Sequence, residues 1–286
     1  MENMNGKICI VTGSNTGIGK ETARGLATRG ATVVMACRDA AKAEAARADI
    51  AATSGRSDVR VLPLDLGDTK SIRAFAASFK EQYARLDVLI HNAGVWTNRR
   101  TTTQDGFEAT FGVNHLGTFL LTRELRDLLE RSAPARIVVV SSKLHDRGHM
   151  NFEDLQFERR KYSATAAYNQ SKLANVLFTK ALARRLAGTG VTVNAVHPGV
   201  VATELARDYP KLLVKLAHLF MITPAEGAAC SLHVATDPGL ATTSGEYFEK
   251  SKPRPAAPEA NDEADQERLW RVSEELLGIT KASQAA

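Results

Sequence analysis

Short apolar runs alternate with longer amphipathic segments along most of the chain. Six runs rich in valine and isoleucine predict strands, at residues 6–11, 31–36, 59–64, 87–90, 136–141 and 191–196. Five segments with apolar positions at helical spacing predict helices, at residues 21–29, 38–54, 69–84, 104–131 and 164–187. Near-continuous apolar strands between amphipathic helices are typical of a parallel sheet covered on both faces. The pattern therefore predicts an α/β fold.

The last third of the chain carries two further helical patterns. Residues 205–222 place leucine, phenylalanine and methionine at helical spacing, which is typical of an amphipathic helix packed on a core. Residues 252–258 are rich in proline, and residues 261–277 predict a terminal helix that carries Trp270. We interpret this tail as a peripheral cover or as a contact between copies in a homo-oligomer.

Composition narrows the function classes. The chain has 286 residues, 44% of them hydrophobic and 24% charged, which suits one globular domain with a substantial core. The net charge of +5 is spread along the sequence, so nucleic acid is not predicted as a partner. Cys9, Cys37 and Cys230 lack metal-binding spacing. Because no apolar run approaches about 18 residues and no signal peptide is evident, the sequence predicts a cytoplasmic protein without a membrane anchor.

Polar residues and glycines cluster where the predicted strands end. Parallel sheets bind their ligands outside the carboxyl ends of the strands. One such residue follows each predicted strand, in the chain order Gly13, Arg38, Asp65, Asn92, Ser142 and Pro198. This coincidence predicts a single ligand site at one edge of the sheet.

A glycine-rich loop joins the first predicted strand to the first helix. Gly13, Gly17 and Gly19 follow the spacing Gly-x-x-x-Gly-x-Gly. Glycines let the backbone turn tightly and approach a pyrophosphate, whose charge faces the N-terminus of the next helix. Between a strand and a helix, the loop predicts a dinucleotide site.

Arg38, after the second predicted strand, bears on the choice of dinucleotide. An NAD enzyme usually places an acidic residue about 20 positions after the loop, but Cys37 and Arg38 stand there. A guanidinium suits the 2′-phosphate of NADP, and Lys20 offers a second positive charge. We therefore favour NADP, with NAD as the alternative. The competing interpretation makes Arg38 a solvated loop residue and Asp39 the cap of the next helix.

Tyr168 and Lys172 are four positions apart in one predicted helix, so they share a face. A phenol with a pKa near ~10 is a poor acid–base catalyst at neutral pH. A neighbouring ammonium is expected to lower the pKa of Tyr168, so that the pair can exchange a proton with an alcohol oxygen. The alternative is a surface tyrosine packed on a lysine stem.

Together these residues resemble the short-chain dehydrogenase/reductase superfamily, over roughly residues 6–250. The motifs are the glycine loop after Thr12, the triplet Asn92-Ala93-Gly94, Asn114, Ser142, Tyr168-x-x-x-Lys172, and Pro198-Gly199 followed by Thr203. Longer phrases, such as Ser171-Lys172-Leu173-Ala174-Asn175, are similar to the retinol dehydrogenase branch, which mostly uses NADP. The resemblance implies a single Rossmann-type doubly wound parallel sheet with helices on both faces.

The resemblance also implies roles for individual residues. Catalysis would fall to Ser142, Tyr168, Lys172 and Asn114, with Asn114 disrupting its helix and supporting a water-linked proton relay to Lys172. Asp65 would bond the adenine amino group. The implied cofactor-binding residues are Gly13, Asn15, Thr16, Gly17, Ile18, Gly19, Arg38, Asp65, Leu66, Asn92, Ala93, Gly94, Tyr168, Lys172, Pro198, Gly199 and Thr203.

The same resemblance implies a division of the chain. Residues 1–250 would form an NAD(P)-binding catalytic domain with a substrate lid at about 203–222, and residues 251–286 a C-terminal tail. Residues 143–163 are interpreted as an insertion at the pocket mouth. Its two histidines, His145 and His149, lack the further ligands of a metal site.

The expected activity is hydride transfer between NADP(H) and a bulky hydrophobic aldehyde or ketone, or the corresponding alcohol. The apolar lid and Trp96 indicate this substrate class, for which retinal is one candidate. The alternatives are a carbonyl reductase acting on steroids, quinones or xenobiotics, and a non-catalytic NADP-sensing protein.

Overall fold

The computed structural model describes residues 3–199 and 222–279, within which one mixed sheet forms the centre of the protein. Its strands are β1 (Ile8–Thr12), β2 (Thr32–Cys37), β3 (Val59–Pro63), β4 (Val88–His91), β5 (Ala135–Val140), β6 (Val191–His197), β7 (Tyr247–Glu249) and β8 (Lys252–Arg254). They lie in the order β3-β2-β1-β4-β5-β6-β7-β8. All neighbouring pairs are parallel except β7 and β8, which are antiparallel.

Helices cover both faces of this sheet. The longer ones are α1 (Gly17–Thr28), α2 (Ala40–Ser54), α3 (Thr69–Gln82), α4 (Gly117–Arg131), α5 (Ala164–Arg185), α6 (Pro224–Thr236) and α7 (Glu263–Leu276). Apolar side chains of α1, α2 and α6 pack into the core on one face. Those of α3, α4, α5 and α7 pack into the core on the other face. The predicted α/β doubly wound architecture is therefore confirmed.

The predicted strands agree with the observed ones. Each of the six lies within two residues of its predicted ends. The two further strands, β7 and β8, have three residues each, too few for a period-two pattern to be recognised. The strand order places β1 beside β4, where the winding direction of the chain reverses. In such sheets a crevice opens at this point, beyond the carboxyl ends of the strands.

The predicted helix at residues 104–131 is wrong at its start. Residues 104–108 form a turn in which Gly106 has a φ of +86°. Glu108 then caps a short helical turn, because its carboxylate accepts hydrogen bonds from the backbone of Thr110 at 2.8 Å and Phe111 at 2.7 Å. A π-helical turn follows at Gly112–Leu116, and only then does α4 begin.

The C-terminal segment packs against α4 and α5. The Trp270 ring lies 4.8 Å from that of Phe119 and 6.0 Å from that of Phe178, centroid to centroid. The guanidinium of Arg185 lies 3.9 Å above the same indole. These contacts bury Trp270 in the core that lies beneath α5. Among helices within the described residues, none combines the length and the apolar character needed to cross a bilayer.

Candidate active site

A cleft of about 1510 Å³ opens beyond the carboxyl ends of the strands. Nearly all the predicted site residues in the described part of the chain line this cleft: Gly13, Asn15, Thr16, Gly17, Ile18, Gly19, Arg38, Asp65, Leu66, Asn92, Ala93, Gly94, Ser142, Tyr168, Lys172, Pro198 and Gly199. Asn114 is fully buried behind its wall. Thr203 and the predicted lid up to residue 221 lie outside the described residues.

The glycine loop lies at one end of the cleft and is tightly packed. Gly13 has a φ of +63°, and a Cβ atom there would lie 2.9 Å from the Cα of Ala93. A Cβ on Gly19 would lie 2.5 Å from the carbonyl oxygen of Gly13. Thr16, at the N-terminus of α1, makes no side-chain cap, whereas Asp39 caps α2 by accepting from the Lys42 backbone at 3.0 Å. The α1 terminus thus presents backbone donors to the cleft, the arrangement suited to a phosphate.

Thr12 fastens the ends of β1 and β4 together. Its hydroxyl oxygen accepts hydrogen bonds from the backbone nitrogens of Asn92 and Ala93, both at 3.0 Å. The Asn92 amide in turn donates to the carbonyl oxygens of Thr12 at 3.0 Å and Gly13 at 3.3 Å. Asn92 is therefore oriented by the strand end, and the Asn-Ala-Gly triplet is held against the glycine loop.

Two positive side chains face the cleft beyond β2. Arg38 is 72% exposed, and its Nη1 atom lies 3.8 Å from a carboxylate oxygen of Asp65. Lys42, one turn into α2, also lines the cleft and is largely exposed. The expectation for Lys20 is wrong, because its ammonium pairs with Asp49 at 2.8 Å and it is not among the residues that line the cleft. Lys42, whose ammonium lies 3.8 Å from a carboxylate oxygen of Asp39, is therefore the second positive side chain that lines the cleft at this end.

The opposite end of the cleft carries the tyrosine–lysine pair of α5. The Lys172 ammonium lies 5.4 Å from the centroid of the Tyr168 ring and donates to the carbonyl oxygen of Val140 at 3.0 Å. The Trp96 indole stacks on the Tyr168 ring at 4.4 Å between centroids. Both members of the pair border the cleft, so neither is a plain surface residue.

The pKa values of this pair differ from the expectation. Burial raises the pKa of Tyr168 to about 12, and burial lowers the pKa of Lys172 to about 8. Desolvation of the two buried side chains is the cause of both shifts. The expectation that Lys172 lowers the pKa of Tyr168 is therefore wrong for the protein alone. At neutral pH, Tyr168 keeps its proton and Lys172 remains mostly charged.

Asn114 lies in the π-helical turn, as its predicted disruption of the helix requires. Its side-chain oxygen accepts from the backbone of Val95 at 2.7 Å, and its amide donates to the Val95 carbonyl at 3.0 Å and to the Ser171 hydroxyl at 3.0 Å. A Cβ on Gly94 would lie 3.4 Å from both the Asn114 oxygen and the Lys172 ammonium. Gly94 therefore lies next to both side chains.

Ser141 and Ser142 have different surroundings after β5, as strand alternation predicts. The buried Ser141 hydroxyl donates to the carbonyl oxygen of Lys172 at 2.8 Å, which ties β5 to α5. The Ser142 hydroxyl accepts from the backbone of Leu144 at 3.2 Å and begins a 3₁₀ turn at Lys143–Arg147. The Ser142 hydroxyl can still donate its own proton to a ligand.

The sequence match decides the family. Residues 7–212 match the family described as short chain dehydrogenase. The chain belongs to the short-chain dehydrogenase family. Human retinol dehydrogenase 12 is 54% identical over 276 residues, which cover 96% of this chain and 87% of that protein. Human retinol dehydrogenase 13 is 50% identical over 286 residues, covering 97% and 86%. This short-chain dehydrogenase therefore falls in the retinol dehydrogenase-like branch.

Solved structures agree with this assignment. An uncharacterized protein from Mycobacterium paratuberculosis has a TM-score of 0.80 and 37% identity, covering 97% of this chain and 96% of that chain. A short chain dehydrogenase from Escherichia coli CFT073, complexed with NADPH, has a TM-score of 0.71 and 26% identity, covering 87% and 98%. The protein is thus an oxidoreductase with the short-chain dehydrogenase fold.

Sequence reasoning missed some residues that build this dehydrogenase cleft. Lys42 belongs to none of the motifs, and Arg38 precedes α2, which begins at Ala40, so no helical spacing relates the two positions. Thr12 and Ser141 directly precede the motif residues Gly13 and Ser142, and both carry hydrogen bonds that join separate elements. For Thr12 and Ser141, the available signal is a hydroxyl-bearing residue directly before a motif residue.

Proposed function

We propose that this protein is an NADP(H)-dependent oxidoreductase that interconverts a bulky hydrophobic aldehyde or ketone, of the retinoid class, with its alcohol. The observation that most supports this proposal is that Tyr168 and Lys172 lie together on the cleft wall and that Ser142 lines the same cleft. The proposal combines a proton donor, a polarising hydroxyl and a nucleotide-binding loop in one cleft.

The end of the cleft that carries the glycine loop and Arg38, here called the nucleotide end, fits the phosphates of a dinucleotide. The glycine loop is tightly packed, because a Cβ at Gly13 would collide with Ala93 and one at Gly19 with the Gly13 carbonyl oxygen. Without side chains at these positions, a ligand would be able to approach the loop backbone closely. Arg38 and Lys42 would hold the 2′-phosphate, and Asp65 and Asn92 would contact the adenosine. When bound, the reduced nicotinamide supplies a hydride, and the oxidised form accepts one. A neighbour solved with NADPH supports NADP as the cofactor.

The opposite end of the cleft, which carries Tyr168, Lys172 and Ser142, is here called the proton end. Its side chains fit general acid catalysis. In the reducing direction Tyr168 would donate its phenolic proton to the carbonyl oxygen as the carbonyl carbon gains a hydride, which yields the alcohol. Ser142 would donate a hydrogen bond to the same oxygen and stabilise its developing negative charge. Lys172 would hold the nicotinamide ribose and, with Asn114, return a proton to Tyr168 through water. The raised pKa of Tyr168 favours the protonated state that this step requires.

The substrate class follows from the apolar side chains around the reacting end. Val95, Trp96 and Leu144 line the cleft, and Trp96 stacks on Tyr168. Apolar pockets of this kind favour large hydrophobic ligands. Relatives that are named retinol dehydrogenases support a retinoid within this class. We retain residues 1–250 as the catalytic domain and the segment at about 203–222 as a substrate lid. Thr203 would contact the nicotinamide carboxamide or the diphosphate.

The test follows the loss of NADPH absorbance with a panel of carbonyl compounds. The panel contains retinal, a hydrophobic steroid ketone, a quinone and a small polar aldehyde, each with NADPH and with NADH. We expect the highest kcat/KM for retinal with NADPH. Faster turnover of the steroid or of the quinone would identify that compound's class, instead of retinoids, as the substrate class. No turnover of any compound by folded protein would refute the proposed function.

A further inference from the structure

A buried histidine connects the candidate catalytic serine to the C-terminal segment. His145 lies in the 3₁₀ turn after Ser142 and has no exposed surface. Its Nδ1 atom is 2.7 Å from the carbonyl oxygen of Ser142. Its Nε2 atom is 3.1 Å from the backbone nitrogen of Ala257, which lies 112 positions later in the chain. Both ring nitrogens are therefore used within the protein.

These two contacts determine the tautomer of the ring. The backbone nitrogen of Ala257 can only donate, so Nε2 of His145 must accept. A carbonyl oxygen can only accept, so Nδ1 must carry the proton and donate to Ser142. The Asp146 carboxylate lies 3.3 Å from Nε2 and favours a charged ring. Burial outweighs it and lowers the pKa of His145, which keeps the ring neutral.

The ring is also fixed in orientation. The Tyr247 ring of β7 packs against it with 4.5 Å between centroids. Ala257 is buried, and the chain next to it is anchored because the Glu259 carboxylate accepts from the backbone of Met150 at 2.7 Å. The C-terminal segment thus presents the Ala257 donor from a well-packed position.

His145 holds the backbone of Ser142 in place through hydrogen bonds. The Ser142 carbonyl accepts two hydrogen bonds from the same residue, from the His145 backbone at 3.1 Å and from Nδ1 at 2.7 Å. The Ser142 hydroxyl accepts from Leu144 inside the same turn. Loss of the Nδ1 contact would loosen the turn that aims this hydroxyl into the cleft.

We propose that His145 is a positioning residue for Ser142, which holds the serine through its Nδ1 proton while Ala257 of the C-terminal segment fixes its tautomer. This inference rests on the proposed role of Ser142 in carbonyl reduction. It gives the C-terminal segment a part in catalysis although no residue of that segment lines the described cleft.

Two variants separate the two contacts. In His145→Asn the amide nitrogen takes the place of Nδ1, so the donor to Ser142 remains while the acceptor for Ala257 is lost. In His145→Gln the amide oxygen reaches the place of Nε2, so the acceptor remains and the donor is lost. Both variants have a similar polar side chain, which makes each the control for the other.

The two variants should differ in which property they lose, kcat or thermal stability. His145→Gln should lower kcat for the best carbonyl substrate about tenfold, the effect of one lost hydrogen bond, with KM for NADPH changed less than about twofold. His145→Asn should keep kcat within about threefold of the wild type while its melting temperature falls more than that of His145→Gln. Equal losses of kcat in both variants, or no loss in His145→Gln, would overturn it.

A second measurement needs no turnover. Nitrogen-15 labelling of the histidines should show one ring with a protonated Nδ1 and an unprotonated Nε2, which disappears in His145→Gln. A protonated Nε2 on that ring would overturn the inference. An inactive wild-type protein with the expected tautomer would refute the proposed function alone, so the two failures are distinguishable.

Discussion

The two ends of the cleft handle positive charge in opposite ways. At the nucleotide end, the side chains of Arg38 and Lys42 are 72% and 56% exposed, so water solvates their charges. At the proton end, Lys172 is only 3% exposed and bonds a backbone carbonyl. The exposed pair can attract an anion over a distance but is screened by salt. The buried lysine is poorly solvated, so its proton affinity is set by the protein.

The largest expected effect lies at the proton end. Tyr168→Phe removes the proton donor and should lower kcat about 10²–10⁴-fold, the usual contribution of general acid catalysis. The phenyl ring preserves the stack on Trp96, so the Kd for NADPH should stay close to that of the wild type. Steady-state NADPH oxidation and a binding titration measure the two quantities. Ordinary turnover in this variant would exclude Tyr168 as the donor.

Reversing one charge at the nucleotide end should change the choice of cofactor. Arg38→Asp replaces attraction to a 2′-phosphate by repulsion, so the ratio of kcat/KM for NADPH to that for NADH should fall about 10²–10³-fold. Arg38→Gln, which is neutral, should give an intermediate ratio. An unchanged ratio in Arg38→Asp would remove Arg38 from the 2′-phosphate site.

The buried lysine should leave a pH signature in stability. The pKa of Lys172 is about 8 in the folded protein against 10.5 as the ordinary value, so the unfolded chain binds more protons between these values. Raising the pH through this window should therefore stabilise the wild type relative to Lys172→Met, by at most about 3 kcal/mol. Urea unfolding of both proteins from pH 7 to 10.5 measures this difference. A difference independent of pH would contradict the lowered pKa.

The smallest effect should come from the exposed lysine. Lys42→Ala should weaken NADPH binding about three- to fivefold at low salt, and less as salt is added, because solvated charges interact weakly. Lys20→Ala is the matched control, because that ammonium pairs with Asp49 and is not among the cleft-lining residues. Equal weakening in both variants would indicate a general charge effect.

The same contrast explains what the sequence could predict. At the nucleotide end, the Gly13 turn and the Asp39 cap depend on neighbours in the chain, so local patterns predicted them. The bonds from Asn92 and Ala93 to Thr12, about 80 positions earlier, could not be predicted in this way. The proton end depends on distant partners: Asn114 binds Val95, and Lys172 binds the carbonyl of Val140, 32 positions away. Local patterns identified these side chains but gave no information about burial. The pKa expectation failed for that reason.

The two tryptophans of the chain lie in separate regions of the protein. Trp96 stacks on Tyr168 in the cleft, and Trp270 lies beneath Arg185 where α7 meets the core. Each indole therefore gives ultraviolet fluorescence from its own neighbourhood. In Trp270→Phe the emission comes from the cleft alone, so ligand entry can be followed without a label. In Trp96→Phe the remaining emission monitors whether the C-terminal helix stays docked.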